Sequence, residues 1–105
     1  MRAILRKDTS VWLLLGELAH RIDSQSYQVV DNWEADLYAV GVAALNNPDH
    51  LVYVCTFEQP QGTVVYECET SSTDTPYIAT SGTAGSVDEL ASIIQQHLKQ
   101  ASTSR

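Results

Sequence analysis

Carboxylates are the side chains of this sequence best able to do chemistry, and two groups of them stand out. One surrounds a tryptophan in the stretch DNWEAD, residues 31–36, and the other is the alternating pair Glu67 and Glu69. Paired carboxylates serve as general acids and bases or as oxygen ligands for calcium. Neither group has the spacing of a calcium-binding loop, so the sequence favours a third role, an acidic surface that binds a basic protein.

The distribution of charge supports this interpretation. The net charge is −7, and no Lys or Arg lies between residues 22 and 98, where eleven acids give a formal charge of −11. Nucleic acids and anionic membranes are bound by Lys and Arg, so neither is an expected partner. A basic protein would be attracted and steered towards this chain. The alternative is that the acidity only keeps the protein in solution.

The cysteines and histidines give no motif for catalysis or metal binding. Cys55 and Cys68 are predicted on opposite faces of neighbouring strands, which argues against a disulfide. His20, His50 and His97 are expected on separate surfaces, so no zinc site is predicted. The chain also lacks a nucleophile elbow and a phosphate-binding glycine loop. We therefore predict no catalytic residue, no metal and no cofactor.

Two segments have the apolar period of amphipathic helices. The first covers residues 9–24, follows candidate N-caps that include Asp8, and carries Trp12 and Leu13, which predict burial on more than one side. The second follows a capping box formed by Ser86 and Glu89. It ends in a turn whose His97 and Lys99 would suit the helix dipole. The terminal residues 1–8 and 100–105 are expected to fray.

Between the helices the apolar pattern changes to the period of two that is typical of strands. The candidate strands are 27–31, 37–45, 51–58, 63–70 and 76–81, and residues 81–86 are expected to form a loop. Residues 33–45 also contain enough helix formers for a helix, and that alternative stays open. The prediction is a single α+β domain over residues 1–105, with an N-terminal helix, an antiparallel meander of four or five strands and a C-terminal helix. Both helices are expected to cover one sheet face.

The stretch Pro-Gln-Gly at residues 60–62 predicts a type I turn followed by a left-handed glycine. This turn pairs residue 59 with 63, and therefore Val54 with Cys68 and Cys55 with Glu67. Alternation along the two strands then separates an uncharged face, which should meet the helices, from a mixed face. The uncharged face carries Val52, Val54, Thr56, Val64, Tyr66 and Cys68, and the mixed face carries Tyr53, Cys55, Phe57, Val65, Glu67 and Glu69.

The loop at residues 46–50 leaves one choice of face open. A five-residue loop places Tyr38, Val40 and Val42 on the uncharged face, whereas a four-residue loop reverses the assignment. Trp33 lies in the predicted turn at residues 31–36, ringed by acids, and is either tucked over the edge of the core or left as an aromatic anchor. Aromatic side chains of this kind dominate the binding energy of protein interfaces.

The sequence thus predicts a non-enzymatic module that docks on a basic protein, comparable in size and charge to immunity proteins and inhibitors. The alternatives are a secretion chaperone or adaptor subunit that acts as a homodimer, and a small enzyme or ligand-binding domain with a pocket between helices and sheet. The apolar run near the N-terminus is short and Glu17 follows it, so no signal peptide is recognised and a cytoplasmic location is expected. The predicted partner-binding residues are Trp33, Glu34, Asp36, Tyr53, Phe57, Glu67 and Glu69.

Overall fold

The computed structural model describes residues 6–60, 62–70 and 77–102, which form two helices and one five-stranded antiparallel sheet. The elements in chain order are α1 (Thr9–Ala19), β1 (Tyr27–Val30), β2 (Ala39–Ala44), β3 (Asn47–Cys55), β4 (Val64–Thr70), β5 (Tyr77–Ala84) and α2 (Val87–Ser102). The strands lie side by side in the order of the chain. The predicted α+β meander with a helix at each end is confirmed.

Helix α1 begins where the Asp8 carboxylate accepts a hydrogen bond from the backbone N–H of Ser10, at 2.9 Å. The helix ends at Ala19, five residues before the predicted end at 24. After Ala19 the backbone N–H groups of His20 and Arg21 bond the carbonyls of Glu17 and Leu18 as a tighter turn, and Asp23 then accepts the backbone N–H of Gln25. Trp12 and Leu13 are 47% and 65% exposed, so the expectation that they bury a second side of the helix was wrong.

Helix α2 begins at the predicted cap. The Ser86 hydroxyl accepts the backbone N–H of Glu89, and the Glu89 carboxylate accepts the backbone N–H of Gly85. The helix continues to Ser102, into the segment 100–105 that was expected to fray. At the other end Lys7 and Asp8 belong to the fold, because Lys7 is buried and Asp8 caps α1. Residues 1–5 and 103–105 lie outside the described residues.

The core lies between the helices and one face of the sheet. Its fully buried side chains include Leu18 of α1, Leu90 and Ile94 of α2, and the valines of β2 and β3 that alternate towards the helices. Helix α2 contacts β2, β3, β4 and β5, and α1 packs against α2. Neither helix within the described ranges is long and apolar enough to cross a bilayer.

The register between β3 and β4 differs from the prediction by two residues. Val54 pairs with Tyr66 and Cys55 with Val65, because the connection is longer than the predicted turn. Gly62 has the expected positive φ of 87°, but Glu58 also has a positive φ of 55°, which extends the bend towards β3. The faces are nevertheless as predicted, since a shift by an even number of residues leaves every side chain on its own side.

Strand β2 resolves both open choices of the sequence. Residues 39–44 form a strand, whereas residues 33–38 form turns, so the helix alternative was wrong. Val40 and Val42 pair with Val54 and Val52 on the helix side, as the five-residue loop required. The connection itself is a two-residue turn, because the register shifts after residue 43 and Ala44 pairs with Asn47. Strand β5 also runs three residues further than predicted, to Ala84.

Candidate functional site

The sheet face turned away from the helices carries the carboxylates of β4. We call it the open face. Because Val52, Val54, Val64 and Cys68 belong to the core with the helices, the alternate residues of the same strands point the other way. The open-face residues of β3 and β4 are Leu51, Tyr53, Cys55, Val65, Glu67 and Glu69.

Glu67 and Glu69 lie two residues apart on β4, and both are half-buried. In the sheet, Glu67 pairs with Tyr53 of β3 on one side and with Ser81 of β5 on the other. Burial raises the pKa of Glu69, and the nearby charge of Glu67 raises it further. A raised carboxyl pKa means that the ionised form is poorly solvated here, so a cation brought to this site would be stabilised.

Tyr53 connects these carboxylates to the DNWEAD loop. Burial raises the pKa of the Tyr53 phenol, and the hydrogen bond with Cys55 and the charges of Asp36 and Glu67 act in the same direction. The phenol therefore stays protonated at neutral pH. The DNWEAD loop and β4 therefore each place a carboxylate within electrostatic reach of the Tyr53 phenol.

Trp33 packs on this surface instead of projecting from it. Its ring meets Tyr53 edge to face, with centroids 5.0 Å apart. It lies over Gly41 of β2, where an added Cβ would be 3.1 Å from Trp33 Cζ3 and 2.8 Å from Val30 Cγ2. Glycine at this position therefore allows the indole to approach the backbone of the sheet.

The DNWEAD loop is organised around a lysine that sequence reasoning missed. The Lys7 ammonium is 2.9 Å from the Asp31 carboxylate and donates to the backbone carbonyls of Trp33 and Asp36, at 3.1 and 2.7 Å. Its side chain is only 1% exposed. We call Lys7, Asp31 and these two carbonyls the lysine cage. The signal that could have revealed Lys7 is its position directly before the helix cap Asp8, in a chain whose acidic loop has no cation nearby in the sequence.

Five of the seven predicted partner-binding residues are thus brought together: Trp33, Asp36, Tyr53, Glu67 and Glu69. The Asp36 carboxylate also accepts the backbone N–H of Tyr38, at 2.9 Å. Glu34 is exposed on the same loop. Phe57 lies beyond the end of β3, is 51% exposed, and contacts Tyr38 edge to face, at a centroid distance of 5.1 Å. Phe57 is therefore placed by its contact with Tyr38, and no ring contact among the described residues joins it to the other five.

His50 and His97 form a pair that the sequence did not predict. Their rings stack with centroids 4.1 Å apart, and both residues are buried. His50 points inwards because it alternates with the core residue Val52 along β3. It hydrogen-bonds the backbone carbonyl of His97, while His97 bonds the carbonyl of Glu69. Burial lowers the pKa of His97, and His50 lowers it further. The expectations of separate surfaces and of a cationic His97 at the helix end were therefore wrong.

The cysteines are both free, with Cys68 in the core and Cys55 on the open face, as the alternation predicted. Burial raises the pKa of the Cys68 thiol, which makes it a poor nucleophile. Within residues 6–60, 62–70 and 77–102, no group of three His, Cys, Asp or Glu side chains could hold a metal ion.

Two grooves lie beside the helices. The first has a volume of about 390 Å³ and lies between α1, the start of α2 and the β3–β4 connection. Leu13, Leu14 and Val64 line it, and its carboxylate Glu17 is paired with Arg21 at 2.7 Å. The second groove, of about 550 Å³, lies beside the β2–β3 turn. The first groove suits an apolar group better than acid–base chemistry, which needs converging ionisable side chains.

Comparisons with protein-family models, with curated proteins and with solved structures found no match to this chain.

Proposed function

We propose that this protein is a non-enzymatic interaction module that docks on a basic protein through its open face, in the way an immunity protein or inhibitor covers its target. The observation that carries the proposal is the half-buried carboxylate pair on β4. Glu69 has a raised pKa because of burial and Glu67, and no cation counteracts these two effects among the described residues. A Lys or Arg of a partner would supply the missing charge.

The use of cations elsewhere in the molecule supports the proposal. Lys7 is enclosed by the lysine cage, and Arg21 pairs with Glu17 and Asp88 on the helix side. Neither pairing involves β4, and the sequence has no Lys or Arg from residue 22 to 98. The negative potential of the open face is therefore left for another molecule to neutralise.

The aromatic part of the surface adds a rigid contact area. Trp33 is held against Tyr53 and over Gly41, and the cage fixes the loop that carries it. A partner that binds here meets side chains that are already ordered, so little conformational entropy is lost on binding. Such preorganised aromatic residues are typical of the energetically dominant part of an interface.

The test is affinity capture from host lysate with three versions of the tagged protein: wild type, the double variant Glu67→Gln/Glu69→Gln, and the matched control Asp49→Asn/Glu58→Gln. Both variants lose two negative charges, but the control loses them from exposed positions, one near the start of β3 and one in the turn that follows it. We expect a basic protein that is released by salt, is captured by wild type and control, and is lost from the β4 variant.

Equal capture by the β4 variant and the control would contradict docking through the open face. Sedimentation of the purified protein supplies the second measurement. A stable dimer that forms without any other component, together with no captured protein, would favour self-association over the proposed partner.

A further inference from the structure

Within the part of the chain that the structure describes, no strand pairs with the outer edge of β5. Residues 80–84 pair regularly with residues 64–68 of β4, and β5 is the last strand of the sheet. Among the described residues, no backbone hydrogen bond joins 80–84 to any element other than β4. Alternate N–H and C=O groups of this segment therefore point away from the sheet, and such groups can accept another strand.

The two edges of the sheet differ in how they are protected. Strand β1, at the opposite edge, has only four residues, and it leads into Asp31 of the lysine cage. Charged side chains and proline are the usual means of blocking an edge strand. Strand β5 has eight residues and contains neither. Its one irregularity is the register shift opposite Cys68 and Glu69, which precedes residues 80–84.

The side chains at positions 81 and 83 of β5 leave Glu67 accessible from this edge. Ser81 lies directly opposite Glu67, and both Ser81 and Thr83 are small and exposed. A strand added to β5 would lie about 10 Å from β4, twice the spacing of neighbouring strands. The four-carbon stem of a lysine opposite Ser81 can extend across that serine towards Glu67.

We propose that an extended segment of a basic protein adds to β5 as a sixth strand and directs a Lys or Arg side chain over Ser81 to Glu67 and its neighbour Glu69. This inference rests on the proposed function and specifies its binding mode. The backbone groups of 80–84 provide the pairing, and the carboxylates of β4 select a basic segment over a neutral or acidic one.

A second copy of this chain is a poorer occupant of the same edge. Each copy has a net charge of −7, and β5 itself offers no Lys or Arg to the carboxylates of its neighbour. Pairing of two β5 strands would satisfy the backbone but would leave Glu67 and Glu69 without a cation.

The test uses a nine-residue peptide in which lysine alternates with valine and threonine, titrated into the isotope-labelled full-length protein and followed by NMR. We expect chemical-shift changes centred on residues 80–84, and at least tenfold slower hydrogen exchange for the amides of this segment that point outwards. A peptide with glutamate in place of lysine should bind at least tenfold more weakly, and Glu67→Gln should reduce the difference between the two peptides.

The decisive control is the lysine peptide with alternate backbone nitrogens methylated, which keeps the charges but removes the donors needed for strand pairing. We expect it to bind at least tenfold more weakly than the parent peptide. Equal binding of the two peptides, protection elsewhere than at 80–84, or no binding of the parent peptide at millimolar concentration would overturn strand addition. Exchange already slowed at 80–84 in a self-associated protein would overturn it in favour of a second copy.

These results are separable from those of the capture experiment. A basic partner that depends on Glu67 and Glu69 but leaves exchange at 80–84 unchanged retains the proposed function and rejects strand addition. Capture that is indifferent to Glu67 and Glu69 rejects the proposed function itself, whatever the peptide does.

Discussion

The DNWEAD loop and strand β4 use the same kind of side chain in opposite ways. In the loop, Asp31 pairs with the buried ammonium of Lys7 at 2.9 Å, and two backbone carbonyls complete the cage. On β4, burial raises the pKa of Glu69, and repulsion by the neighbouring charge of Glu67 raises it further. Acidic residues that look alike in the sequence therefore divide into a group that holds the fold together and a group that remains available for binding.

The comparison teaches that the partner of a carboxylate matters more than its position in an acidic cluster. A buried ion pair resists the loss of either member, because the remaining charge would be desolvated without compensation. Two neighbouring carboxylates with no cation oppose the fold slightly, and they gain from a cation that arrives later. This contrast makes opposite predictions for similar substitutions in the two regions.

The largest expected effect is that of Lys7→Met, which leaves the Asp31 carboxylate and the carbonyls of Trp33 and Asp36 without their donor. Loss of one member of a buried pair lowers the free energy of unfolding by about 3–5 kcal/mol. Urea unfolding followed by circular dichroism measures it. Arg21→Met, which removes the ion pairs of Arg21 with Glu17 and Asp88 at the surface, is the control and should cost much less. Equal losses for the two variants would mean that the cage does not stabilise the fold.

Gly41→Ala tests whether the cage loop must lie close to the sheet. The new Cβ would be 2.8 Å from Val30 Cγ2 and 3.1 Å from Trp33 Cζ3, and overpacking of this kind costs about 1–3 kcal/mol. We expect lower stability and a shifted tryptophan fluorescence spectrum. Gly16→Ala is the matched control, because no atom lies within 4 Å of its added Cβ and alanine is the better helix former. A neutral Gly41→Ala would show that Trp33 does not need this approach.

Acidification should weaken the fold through the histidine pair. The pKa of His97 is lowered from its ordinary value of 6.5, so below about pH 6.5 the unfolded chain binds more protons than the folded one. The free energy of unfolding is therefore not reduced by His97 above about pH 6.5, and it falls as the pH drops towards the lower pKa of His97 in the folded state. The urea midpoint between pH 7.5 and 5.5 measures this fall. His97→Gln should reduce the slope, whereas substitution of the exposed His20 by Gln should leave it unchanged; equal slopes in all three proteins would contradict this origin.

The smallest effect is predicted for Glu69→Gln, which should stabilise the protein, whereas loss of a charge from the lysine cage should destabilise it. Because the pKa of Glu69 is raised in the folded state, its ionisation opposes folding at neutral pH. Its removal should stabilise the protein at pH 7 by less than about 1 kcal/mol. The gain should vanish as the pH falls below the ordinary glutamate value of 4.5, where the carboxyl is protonated in both states. A loss of stability at pH 7 would show that Glu69 has a cationic partner in the fold.

The faces of the sheet were predictable because alternation depends only on local geometry. Val52 and Val54 were correctly assigned to the helix side even though the hairpin register was two residues off, since an even shift preserves the face. The start of α2 was predictable for a similar reason, because its cap is built from Ser86 and Glu89, three residues apart. The end of α1 was missed because the apolar pattern continues to the buried Ile22 while the backbone already forms a turn after Ala19.

The sequence by itself determined the helix–meander–helix order, the two faces of β3 and β4, and the acidity of the middle of the chain, because these follow from composition and from contacts between near neighbours. Only the tertiary structure decided which acids are neutralised and which histidines meet. Lys7 lies 24 residues from Asp31, and His50 lies 47 residues from His97. No period or spacing encodes contacts over such separations. They arise when the sheet and helices bring distant segments together, and burial then sets the charge that each group can carry.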